Sequence, residues 1–122
     1  MDLNTVINVV LIGIVILFLA KRIMPAKGIK HISTEELKTQ LNKKDKQYID
    51  VRTQEEYSGK KINGFKNIPL HELRPRLNEL SKEKEVIVIC QSGMRSSKAS
   101  AVLKKQGFTN ITNVHGGMSA WH

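Results

Sequence analysis

The sequence predicts an α/β domain: a small parallel sheet with helices on both faces, preceded by one N-terminal transmembrane helix. Three observations carry this reading. Val6 to Ala20 is apolar and uncharged. From Ile29 onward, strand-like and helix-like segments alternate, the pattern of parallel strands joined by crossover helices. Val86-Ile87-Val88-Ile89 has no polar alternation, so it belongs in a strand covered on both faces, at the centre of the sheet.

Leu3 to Ala20 is eighteen residues long. At helical rise it spans about 27 Å, close to the thickness of bilayer hydrocarbon. A helix is required there because lipid offers backbone amides no partner. A cleaved signal peptide would open with a basic region and close with a small-residue cleavage site. This segment opens Met1-Asp2-Leu3-Asn4 and runs directly into Lys21-Arg22. A core helix would keep a polar face, and none is present. Asp2 precedes the run, while Lys21, Arg22, Lys27 and Lys30 follow it. The basic flank stays in the cytoplasm, so the N-terminus is expected outside and the domain inside. The organisation expected is an anchor with its flank over 1–22, a short linker over 23–28 and one domain over 29–122.

Within the domain, Ile29-Lys30-His31-Ile32 is a short strand. Ser33 and Glu36 form a capping box for a helix that buries Leu37 and Leu41, with Ile32 and Leu37 as its hydrophobic staple. Gln47 to Val51 is a second strand, and Thr53 with Glu56 caps a second helix. Phe65 to Ile68 is a brief third strand. Leu70, Leu73, Leu77 and Leu80 recur at helical spacing, but Pro75 interrupts them, so a turn and then a helix starting near Pro75 is expected. After Val86–Ile89, a helix runs from about Ser96 to Gln106, capped by Gly107 in the left-handed conformation. Ile111 to Val114 is the last strand.

All 20 lysines and arginines follow Ala20, and the formal net charge is +9. Nucleic acid, an anionic membrane surface and small anionic substrates all suit such a balance. No basic stripe with interleaved aromatics is present, and aromatics are 5% of the chain, which argues against nucleic acid. Cys90 is the single cysteine, so an internal disulfide and a zinc site on paired cysteines are excluded. The four histidines show no ligand spacing, and no metal or cofactor is expected. A lone thiol is either an inert core filler or a reactive centre.

The neighbours of Cys90 favour reactivity. Cys90-Gln91-Ser92-Gly93-Met94-Arg95-Ser96 leads from the carboxyl end of the central strand towards a helix. Ligands bind at that edge of open parallel sheets. A tight loop entering a helix turns backbone N–H groups inward as an anion nest. The helix start adds partial positive charge, and Arg95 adds a permanent cation. All of this favours a thiolate at Cys90 and lowers its pKa.

A cysteine ending a buried strand, then four residues, an arginine and a serine, resembles the active-site loop of rhodanese-like domains. Asp50-Val51-Arg52, Ile62-Asn63-Gly64-Phe65-Lys66-Asn67-Ile68-Pro69, Gly107-Phe108 and Gly116-Gly117-Met118-Ser119-Ala120-Trp121 match further family stretches in order. Lys60 and Lys61 replace the family's usual Gly-His, and Asn63 its usual proline. The resemblance implies a rhodanese-like sulfurtransferase with Cys90 as nucleophile and Gln91, Ser92, Gly93, Met94, Arg95 and Ser96 as its substrate-binding loop. Asp50 and Arg52 follow a neighbouring strand and are candidates for support, either as a structural ion pair or as substrate contacts. The partners implied are a small anionic sulfur donor such as thiosulfate and an external thiol or sulfur-carrier acceptor, since no second cysteine resolves a persulfide.

The membrane is reached through residues 3–20. Related phosphatases and arsenate reductases of this fold have one more residue between Cys and Arg. The short loop here favours sulfur over phosphate or arsenate, with a non-catalytic docking module as the other alternative.

Overall fold

The computed structural model describes residues 2–23 and 28–122. A helix α1, Leu3–Ile23, is followed by strand β1 (Ile29–Ile32), helix α2 (Thr34–Lys38), strand β2 (Lys46–Asp50) and helix α3 (Gln54–Gly59). Then come the two-residue strand β3 (Lys66–Asn67), two 3-10 segments (Leu70–Glu72 and Arg74–Glu79), strand β4 (Glu85–Ile89), helix α4 (Met94–Lys105) and strand β5 (Ile111–Val114). A last 3-10 turn covers Gly117–Ala120. The linker expected over 23–28 falls mostly outside the described residues.

The five strands lie in the order β1-β5-β4-β2-β3, and every pairing is parallel. β4 is therefore the central strand, as its unbroken apolar run predicts. Its side chains alternate between two cores. Val86, Val88 and Cys90 pack with Ala99, Leu103, Phe108 and the leucines of the 3-10 region, while Ile87 and Ile89 pack with Leu37, Phe65, Val114 and Met118. The sheet thus has α4 on one face and α2 on the other. Each fully buried Ile or Leu contributes roughly 1.5–3 kcal/mol by leaving water.

Both predicted capping boxes form. The Ser33 and Thr53 hydroxyls accept from the N–H groups of Glu36 and Glu56, whose carboxylates accept from the cap amides in return. Four elements differ from the sequence reading. Helix α2 ends at Lys38, so Leu41, expected on its buried stripe, lies in the turn beyond it and is half-buried. The segment around Pro75 is 3-10 rather than α-helical. Its amides bond three residues back, Arg76 N–H to Leu73 C=O and Leu80 N–H to Leu77 C=O, both at 3.1 Å, and Pro75 offers no N–H to an α-helical ladder. The third strand shrinks to Lys66–Asn67, because the chain turns at Gly64 (φ +97°) and at Pro69, which lacks an amide. Helix α4 starts two residues earlier than expected, at Met94. Gly93 adopts φ +108° and reverses the chain directly into it.

Of α1, the stretch Leu3–Ala20 is 18 residues with mean hydropathy 2.6, and none of it is buried. By length and composition it suffices to cross a membrane.

Candidate active site

Parallel strands deliver all their carboxyl ends to one edge, and the residues singled out in the sequence meet there. Cys90 follows the last residue of β4 and is itself 0% exposed. Continuing the strand alternation turns its side chain towards α4. The loop Gln91–Gly93 then curls over the sulfur. Gly93 N–H donates to Cys90 Sγ at 2.9 Å, and the Ser96 hydroxyl lies 3.2 Å from it.

Ser96 is in the first turn of α4, where backbone N–H groups have no intrahelical acceptor. Its amide and those of Gly93 and Ser92 act on the sulfur. Burial pushes the thiol pKa up, but the Ser96 hydroxyl and these three amides together outweigh it, and the pKa falls below 9.0. The nest predicted from Gln91–Ser96 is thus realised by three amides and a hydroxyl.

The proton arrangement follows from the contacts. In the thiol form Cys90 S–H donates to Ser96 Oγ, and the Ser96 O–H donates to Gly93 C=O at 3.1 Å. Ser97 also donates to that carbonyl, from its hydroxyl at 2.8 Å and its amide at 3.1 Å. When the thiol ionises, the Ser96 hydroxyl is free to turn to the sulfur without orphaning the carbonyl.

Arg95 behaves differently from the expectation of a cation facing the sulfur unopposed. Both its terminal nitrogens donate to Glu56, at 2.6 and 2.9 Å. The Arg95 hydrogen bonds hold the Glu56 carboxyl at about 2 against its partial burial. Arg95 still interacts with the charge of Cys90, and its own pKa is raised, first by Glu56. Glu56 is a site residue that sequence reading assigned solely to helix capping. No local pattern links it to an arginine 39 positions away.

Asp50 and Arg52 form the buried ion pair that was one of the two readings of them. Arg52 Nη2 lies 2.9 Å from Asp50 Oδ2, with the side chains 3% and 1% exposed. Arg52 also donates to Gln91 Oε1 at 3.3 Å, to Glu56 C=O at 3.3 Å and to Lys60 C=O at 2.5 Å. It therefore binds α3 and the Cys90 loop to the end of β2. Gln91 points away from the sulfur and donates to Ser119 Oγ at 3.3 Å. Ser92 is exposed, and Met94 is 71% exposed at the rim.

A second brace was also missed. Met118 and Ser119 N–H donate to the carbonyls of Cys90 and Gln91 at 2.8 and 2.9 Å. Gly117 makes this approach possible: a Cβ there would stand 2.2 Å from the Cys90 carbonyl oxygen. The double glycine was the available signal, but which backbone it approaches depends on the fold.

Residues 33–122 match the family model for the rhodanese-like domain. The chain is 34% identical over 118 residues to the Bacillus subtilis protein YqhL, covering 97% of this chain and 92% of that protein. It is 33% identical over 94 residues to a sulfurtransferase of Allochromatium vinosum, covering 76% and 88%. A crystal structure of a rhodanese-like domain protein from Staphylococcus aureus superposes with a TM-score of 0.70 at 38% identity, covering 76% of this chain and 91% of that one. The parallel sheet, the cysteine at its carboxyl edge and these matches agree: the chain belongs to the rhodanese-like domain family.

Proposed function

We propose that this protein is a sulfurtransferase that accepts a sulfane sulfur on Cys90 from thiosulfate or a persulfide donor and hands it to an external thiol or, in an assay, to cyanide. The observation that carries this is the set of donors around one sulfur: the amides of Ser92, Gly93 and Ser96 and the Ser96 hydroxyl. Such a nest favours a thiolate, and favours equally the negative charge of a terminal persulfide sulfur.

In the first step the Cys90 thiolate attacks the outer sulfur of thiosulfate. An S–S bond to Cys90 forms as the bond to the sulfonate sulfur breaks, and sulfite leaves with that electron pair. In the second step an acceptor thiolate or cyanide attacks the terminal sulfur and Cys90 leaves as thiolate. Neither step needs a redox partner. The acceptor comes from outside because Cys90 is the chain's one cysteine. Arg95, neutralised by Glu56, braces the loop and supplies a polarised edge to an anionic donor.

The same reading includes a single-pass anchor over residues 3–20, with the N-terminus outside and the domain on the cytoplasmic side. Its support is the uncharged apolar stretch and the lysines and arginine that follow it.

Intact-mass spectrometry after thiosulfate treatment tests the chemistry. The expected result is a gain of one sulfur, about 32 Da, removed by cyanide and absent in Cys90→Ala. Brisk hydrolysis of p-nitrophenyl phosphate with no mass gain would move the reading to phosphate chemistry. A Cys90→Ser protein that retains full cellular function would move it to docking.

A further inference from the structure

The opposite edge of the sheet carries a pattern the sulfur chemistry does not use. Every strand is parallel, so the crossover segments return the chain to one amino edge before each new strand. The segments leading into the three interior strands, two turns and the C-terminal end of α4, each bring a lysine pair there. These are Lys43 and Lys44 before β2, Lys82 and Lys84 before β4, and Lys104 and Lys105 before β5. All are exposed except Lys104, which is half-buried.

Contacts draw these segments together. Gln47 donates to Ser81 C=O at 2.8 Å, and Val86 N–H donates to Asn110 C=O at 2.9 Å. The Lys82 ammonium lies beside Gly107, where a Cβ would be 3.5 Å from Nζ. That of Lys104 lies beside Gly28, 2.7 Å from where a Cβ would stand. Gly28 immediately precedes β1, so the chain coming from α1 enters the domain at this same edge. Opposing charge there is sparse: Asp45 and Glu83 are exposed, while Glu85 is already held by Lys46 and Thr112. Cys90 lies at the other end of β4, about 16 Å away along five strand residues.

We propose that this amino edge, with its three lysine pairs, docks on anionic lipid headgroups, so that the domain rests on the membrane with the Cys90 loop on the side turned away from it. The proposal rests on the anchored reading above, and it selects lipid over other polyanions because the tether delivers this edge to the bilayer. The lysine pairs then act with Lys21, Arg22 and Lys27 of the tether sequence in an attraction that salt screens. The carboxyl edge remains open to soluble donors and acceptors.

The test uses the full chain reconstituted in vesicles of phosphatidylcholine alone or with about 30% phosphatidylglycerol, followed by lysine acylation footprinting. The expected result is acylation of the six amino-edge lysines slowed about threefold or more on the anionic vesicles, with the protection lost in about 0.5 M salt. Lys60 and Lys98, near the active-site edge, should react equally on both, and alkylation of Cys90 by a soluble reagent should proceed at the same rate on both. Equal acylation of the six lysines on both vesicles would overturn the proposal. So would stronger protection of them by a short RNA or an acidic peptide than by the anionic vesicles.

Flotation separates the two readings. A chain that floats with neutral vesicles in high salt but shows no protection on anionic ones keeps its anchor and loses this docking surface. A chain that fails to float with neutral vesicles, yet floats with anionic ones with the six lysines protected, keeps the surface and loses the anchor. Lys43→Gln with Lys84→Gln, both exposed and remote from Cys90, should weaken the salt-sensitive binding at least about tenfold.

Discussion

Glu56 grips Arg95 with both carboxylate oxygens, at 2.6 and 2.9 Å, and so ties α3, the helix after β2, to the helix that follows Cys90. The same carboxylate caps its own helix through Thr53. One side chain therefore fixes a helix start and the orientation of the loop arginine.

This pair sets an acid limit. The Glu56 carboxyl sits at about 2 in the folded protein against an ordinary 4.5, mainly through the Arg95 hydrogen bonds. A depressed carboxyl stabilises the fold fully above its unfolded value and loses that contribution as pH falls through the folded one. Glu56→Gln should be less stable than the parent at pH 7, with the difference closing between pH 4.5 and about 2. Urea unfolding at a series of pH values measures this; a gap that persists at the acid end would refute the assignment.

The thiol should titrate below 9.0. Because hydrogen bonds to the anion win over burial, the pH profile of its alkylation by a small reagent such as iodoacetamide should lie below that of an ordinary thiol. Ser96→Ala removes one donor and leaves Gly93 C=O satisfied by Ser97. Its half-point should move to higher pH, because the thiolate loses the Ser96 hydroxyl that favours it. An unchanged pH profile would mean the hydroxyl does not serve the sulfur.

Gly117→Ala should be severe. The added carbon would meet the Cys90 carbonyl oxygen at 2.2 Å, and the residue holds φ +56°. Overpacking against backbone and left-handed strain together should destabilise by about 2–3 kcal/mol. Sulfur transfer should fall further than the folded fraction does, because the displaced backbone is that of the nucleophile. Thermal unfolding and kcat, measured side by side, distinguish this from simple loss of fold.

Arg52→Ala should strip the Asp50 carboxylate, 0% exposed, of its guanidinium partner. Breaking one partner of such a pair destabilises by about 3–5 kcal/mol. In an Asp50→Asn background the same substitution should be markedly milder, and a double-mutant cycle by denaturant unfolding reads the difference. Equal effects in both backgrounds would show that Arg52 acts through its bonds to Gln91 and Lys60 instead.

Much of this protein is legible from local pattern. The unbroken apolar run Val86–Ile89 identified the central strand, and Ser33 with Glu36 and Thr53 with Glu56 announced two helix starts that form as read. Those signals are short-range, because capping and burial alternation are settled within a few residues. The region around Pro75 misled for the same reason: leucine spacing alone does not separate a 3-10 period from an α-helical one.

By itself, the chain order determined that Cys90 ends a central strand and meets a loop entering a helix. Parallel topology then requires such a loop to stand at the sheet's carboxyl edge. What only the tertiary structure decided are the long-range partners: Glu56 for Arg95, Met118 for the Cys90 carbonyl, and the lysine pairs gathered at the far edge. Those meetings depend on how strands order themselves in the sheet, β1-β5-β4-β2-β3. That order arises from burying two apolar faces at once, a property of the whole chain and of no segment within it.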